Sequence, residues 1–123
     1  MSYHDHGDYA YMRKLREGAP DAVKAFAAFD EAALKGESKV ISRKYSELIA
    51  VAVALTTQCP YCIESHVKAA QAEGATEEEL AETVMITSAL RAGGGLAHGF
   101  MAMKFFEQGA AAHNGHQAVA AHA

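Results

Sequence analysis

Apolar residues recur every three or four positions along most of the chain, and no stretch alternates apolar and polar residues for long; this is the pattern of helices rather than strands. The first segment, to about residue 18, is polar and aromatic (Tyr3, Tyr9, Tyr11), and Met12 to Glu17 predicts a short helical turn ended by Gly18. Pro20 suits the first turn of a helix, and Val23, Phe26, Ala27, Ala33 and Leu34 carry that helix to Gly36. After a loop from Gly36 to Ile41, Ser42 is an N-cap for a helix from Arg43 to about Thr57. That helix is apolar on nearly all sides after Glu47, which predicts a central, buried element. Cys59 then stands at or near an N-cap position, Pro60 opens a helix to Glu73, and Gly74 is a reasonable stop. Thr76 and Glu79 form a T-x-x-E capping box opening a helix through Leu90, which Gly93, Gly94 and Gly95 are expected to break. A last helix, about Leu96 to Glu107, carries Phe100, Met101, Met103, Phe105 and Phe106, a group that reads as core or subunit interface. The expectation is an all-α fold of about six helices, divided into an N-terminal segment (1–19), a helical domain (20–108) and a mobile, histidine-containing tail (109–123).

Composition sharpens this picture. Of 123 residues, 27 are alanine and only 2 are proline, so helices can approach closely at their Ala faces without side-chain entropy cost. The net charge of −4 and the lack of a basic stripe remove the electrostatic footprint of nucleic-acid binding. The longest uncharged apolar run, Leu48 to Leu55, is far short of the roughly 20 residues that span a bilayer. The N-terminus has neither a basic start nor an apolar stretch, so no secretory signal is read and a cytoplasmic protein is expected. In a reducing compartment a CxxC pair is redox-active or metal-binding more often than it is a staple.

The two cysteines, Cys59 and Cys62, lie on one face of a helix start. Unpaired backbone N–H groups and the helix dipole favour a thiolate there, and the expectation is that Cys62, inside the first turn, carries it. His66, four residues on, stacks over Cys62 and can take its proton. Glu47, on the preceding helix, would face back toward Cys62 and His66 if the two helices pack antiparallel, and would then orient the imidazole. Two other readings of the pair stay open on residues alone: two small buried hydrophobes, or a zinc site completed by His66 with Glu47 or His98.

These residues read Glu47-x11-Cys59-x2-Cys62-x3-His66. Together with the text from Ser46 to Ala70 and the helix opened by Thr-Glu-Glu-Glu-Leu, they resemble the alkylhydroperoxidase D-like proteins of the carboxymuconolactone decarboxylase family, over roughly residues 20 to 107. The resemblance implies an all-helical domain assembling as homo-trimers or hexamers, and a thiol-dependent antioxidant peroxidase activity in which the CxxC pair cycles between dithiol and disulfide. It implies Cys62, Cys59, His66 and Glu47 as redox pair and proton relay, with Cys62 attacking a peroxide or other small electrophile and Cys59 resolving the sulfenic acid. It calls for no cofactor and no resident metal, but for a dithiol electron donor, for which the family precedent is a lipoylated protein. The best-studied peroxidase branch has a histidine immediately before the second cysteine, where this chain has Tyr61. A phenol with a pKa near 10 is a poor base at neutral pH but a good hydrogen-bond donor, so Tyr61 is at most auxiliary. The decarboxylase branch lacks the cysteine pair, which argues against decarboxylation. The alternatives are a thiol–disulfide reductase acting on a non-peroxide substrate, and a non-catalytic oligomeric module using the thiols for sensing or metal binding.

Two further features carry ordinary structural readings. His4 and His6, with His113, His116 and His122, form two loose groups over the chain ends; His-rich tracts can bind metal, but these are widely spread. Gly93 to Gly95 lacks the G-x-x-x-x-G-K-[ST] frame of a phosphate loop and reads as a tight inter-helix turn.

Overall fold

The computed structural model describes residues 4–115, the side chains of 113–115 excepted, and all its regular structure is helical. A 3₁₀ turn, η1 (His6–Tyr11), leads into α1 (Met12–Gly18), α2 (Pro20–Lys35), α3 (Arg43–Thr57), α4 (Pro60–Ala72) and α5 (Glu77–Gly115). The chain divides into two compact units, one up to Thr87 and one from Ser88 on.

In the first unit the local signals act as their chemistry requires. The Ser42 hydroxyl accepts the N–H of Tyr45 and starts α3. Gln58 ends it in the left-handed conformation (φ 57°), and the N–H of Cys59 donates to the Ala54 carbonyl at 3.1 Å. The turn is so tight that α4 begins two residues later and folds back on α3, and this pair is the main packing contact of the unit, with α2 against α3 and α1 against α2. Gly74 (φ 91°) closes the α4–α5 turn in a region that L side chains rarely adopt. Thr76 and Glu79 then cap α5 reciprocally, at 2.9 and 3.1 Å. Lys44 of α3 reaches Glu79 at 2.9 Å. That contact raises the lysine pKa and holds the carboxyl below its usual range, with the Thr76 N–H helping.

Three expectations change. η1 was not foreseen; Asp5 caps it, accepting from Gly7, while the Asp8 carboxylate returns to the Asp5 N–H at 3.0 Å. The helix from Glu77 does not break at Gly93–Gly95. The two helices expected there are one, running through the glycines, and also through Gly109, to Gly115. Helix propensity charges about 1 kcal/mol per glycine against alanine, a bias that the strong helix formers on either side (Ala89, Leu90, Arg91, Ala92, Leu96, Ala97) outweigh. The third change concerns α3. Its buried stripe is Glu47, Leu48, Val51 and Ala54, while Tyr45, Ile49 and Val53 on other faces are about half exposed. Apolar composition all round the helix therefore does not bury it all round within one chain.

The second unit is helix α5 from Ser88 onward, with Leu96, Phe100, Met103 and Phe106 exposed. The first part of the expected tail, up to Gly115, continues α5, while the side chain of His113 and all of residues 116–123, with His116 and His122, lie outside the described residues.

Candidate functional site

Glu47 stands in the first turns of α3 and is 1% exposed. A buried carboxylate must be met by donors, and it is met on both oxygens. Arg43, one turn earlier, donates Nε–H to Oε1 at 2.9 Å, and His66 Nδ1 lies 2.6 Å from Oε2. A carboxylate only accepts, so Nδ1–H donates to it, and Nε2 is the ring nitrogen that exchanges a proton in any acid–base step. The fold-back of α4 on α3 is what brings Glu47 and His66 together, as expected. Arg43 is a member of the site that the motif alone does not name, although its i, i+4 spacing to Glu47 is the signal that points to it.

Cys59 is the N-cap of α4, its sulfur accepting the N–H of Cys62 at 3.3 Å. Both cysteines are free and partly exposed. The Cys62 thiol beside Cys59, then the N–H of Cys62, lowers the Cys59 pKa, with burial opposing. Cys62 is pushed up to about 11, first by its hydrogen bond to Cys59, then by burial and the Cys59 charge, with Asp30 adding to it. The two sulfurs thus share a proton unequally, the Cys59 pKa lowered and that of Cys62 raised. The sequence reading expects the lowering at Cys62, whereas it falls on Cys59. The helix-start argument applies to the cap residue itself, whose sulfur receives the orphan N–H, more than to the residue that supplies that N–H.

Tyr61 stands between the cysteines, and its hydroxyl donates to Asp8 Oδ2 at 2.8 Å. The Tyr9 hydroxyl donates to the Tyr61 carbonyl at 2.7 Å. His4 and His6 come together on Glu64 of α4, each 3.5 Å from Oε2. No hydrogen bond among the described residues joins His66 to either sulfur. His98, the other ligand considered for zinc, belongs to the second unit, where its Nδ1 meets the Gly94 carbonyl at 3.1 Å. Among the described residues, no three His, Cys, Asp or Glu side chains converge so as to hold a metal ion.

Fold and site together define an all-helical domain with a dithiol at a helix N-terminus, an imidazole one turn along the same helix, and a buried carboxylate on the preceding helix that holds it. The profile of the carboxymuconolactone decarboxylase family matches residues 20–105. An uncharacterized protein of the cox locus of Paracoccus denitrificans is 39% identical over 103 residues, covering 79% of this chain and 92% of that protein. An uncharacterized protein of Cupriavidus necator is 33% identical over 93 residues, covering 76% and 80%. The crystal structure of apo-lpg0406, a carboxymuconolactone decarboxylase family protein from Legionella pneumophila, superposes with a TM-score of 0.62 at 32% identity, covering 81% of this chain and 88% of that one. The chain belongs to the carboxymuconolactone decarboxylase family.

Proposed function

We propose that this protein is a thiol-dependent antioxidant oxidoreductase, reducing a peroxide through the Cys59–Cys62 dithiol. The observation that carries the reading is the pairing of an N-cap Cys59, its sulfur on the Cys62 N–H and its pKa lowered, with Cys62, pushed up to about 11, and with His66 one turn along, held by Glu47 through Nδ1. The Cys59 thiolate attacks the outer oxygen of the hydroperoxide. The O–O bond breaks, the alkoxide takes a proton and leaves as alcohol, and Cys59 becomes a sulfenic acid. Oxidation of Cys59 removes the hydrogen bond and the charge that push the Cys62 pKa up, leaving burial to oppose its ionisation. His66 Nε2 takes the Cys62 proton, the new thiolate attacks the sulfenic sulfur, and the disulfide forms as hydroxide leaves with the imidazolium proton as water. Two electrons pass from the sulfurs to the peroxide. In this proposal Cys59 attacks first, because its sulfur accepts the Cys62 N–H and its pKa is the lowered one, whereas the sequence reading has Cys62 attack first. A small dithiol or a lipoylated protein then returns two electrons, and a reducing cytoplasm suits the resting dithiol.

Association into a homo-oligomer, trimer or hexamer, is part of the proposal. Its support is a core of Leu48, Val51, Ala54 and Ala70 set against exposed Phe26, Phe29, Phe100 and Phe106.

The test is stopped-flow mixing of reduced protein with cumene hydroperoxide, with free thiols counted in quenched samples. Two thiols should vanish per hydroperoxide consumed. A thiol count that stays level overturns the proposal; if glutathione disulfide is nevertheless reduced, the thiol–disulfide reductase reading replaces it, favoured by the partial exposure of Cys59.

A further inference from the structure

The CxxC turn is gripped by a part of the chain that the chemistry above does not use. Two hydrogen bonds, each spanning more than fifty positions of sequence, end on Tyr61, the residue directly before Cys62: Tyr9 Oη to its carbonyl and its own Oη to Asp8. The Tyr9 and Tyr61 rings meet edge to face at 5.9 Å, and the His4 ring meets Tyr61 at 4.4 Å. His4 and His6 reach Glu64, one turn further along α4. Asp8 is itself fixed by its bond to the Asp5 N–H, so η1 presents a preformed donor and acceptor. Burial raises the Tyr9 pKa, with the charges of Glu64, Cys62 and Cys59 adding to it and the Ser65 hydroxyl opposing. The phenol therefore remains a neutral donor while a nearby thiol ionises.

We propose that Tyr9 and Asp8 are positioning residues of the dithiol: by holding the backbone and side chain of Tyr61 they keep the Cys59–Cys62 turn in its reduced geometry and so set the dithiol–disulfide equilibrium. The inference rests on the redox reading only in requiring that the two sulfurs pair. In the reduced turn the Cys59 sulfur accepts the Cys62 N–H. Disulfide closure brings the sulfurs to about 2.05 Å and admits a narrow range of dihedral angles, so the turn must adjust while its third residue is held from outside. Whatever part of the two hydrogen bonds is lost on closure favours the dithiol.

The experiment equilibrates the full-length protein with glutathione. The two protein thiols yield two electrons and two protons as one glutathione disulfide is cleaved and two glutathione thiols form. Tyr9→Phe and Tyr61→Phe each keep the ring and remove one bond. Each should shift the constant toward the protein disulfide by about two- to tenfold, the span of a single hydrogen bond. Thermal melting gives an independent readout: each variant should lower the midpoint of the reduced form more than that of the oxidised form, which a merely structural contact would not do. A constant equal to wild type in both variants, a shift toward the dithiol, or equal loss of stability in both redox states overturns the proposal. No peroxide enters the measurement, so its failure is separate from a failure of peroxide reduction.

Discussion

Glu47 carries two donors on two oxygens, and this division separates its structural work from its proposed chemical work. Removing His66 leaves the Arg43 ion pair in place, so His66→Ala should fold and keep the Cys59 sulfur on the Cys62 N–H. It should close the disulfide more slowly at neutral pH than at high pH, where hydroxide replaces the base; equal slowing across pH in single-turnover kinetics would remove the general-base role. Glu47→Gln loses both charge-assisted bonds and should cost about 1–3 kcal/mol in urea unfolding. The cysteines make a sharper prediction. Because the Cys59 pKa is lowered, its thiolate fraction rises at a lower pH than that of Cys62, which titrates near 11. Iodoacetamide followed by peptide mass spectrometry should label Cys59 first at every pH below that. Cys62→Ala removes the largest stabilising contact on the Cys59 thiolate and should move its labelling curve to higher pH.

The helices were legible where their ends are written locally. Ser42, Pro20, Gly74 and the Thr76–Glu79 box each act within three or four residues, and α2, α3 and α4 begin and end within a residue of expectation. Thr76→Ala should accordingly cost about 1 kcal/mol, read by thermal or urea unfolding. The triple glycine was misread because glycine imposes a bias rather than a stop. A Cβ added at Gly94 meets nothing within 4 Å, so Gly94→Ala should stabilise the helix by up to about 1 kcal/mol, visible as a higher melting temperature. What no local pattern encodes is contact across distance. Glu47 to His66 was inferred because a tight turn joins their helices, whereas the approach of Tyr9 and Asp8 to Tyr61 follows from no periodicity. Arg43 was hidden differently: its spacing was plain, and only the burial of Glu47 reveals that the carboxylate needs a second donor.

Over the whole chain, no helix among the described residues is long and apolar enough to cross a membrane, yet large apolar side chains are exposed on both units. Among the described residues the buried hydrophobic set is four, two of them alanine. At roughly 25 cal/mol per Å² of apolar surface removed from water, such a set stabilises a fold only weakly against the conformational entropy of ordering a chain of this length. Burial of the remaining apolar faces between copies would supply the difference. Stability then ceases to be a property of the polypeptide alone and becomes one of the solution: the unfolding midpoint should climb with each tenfold rise in protein concentration, and dilution by itself should loosen the turn that holds the thiols.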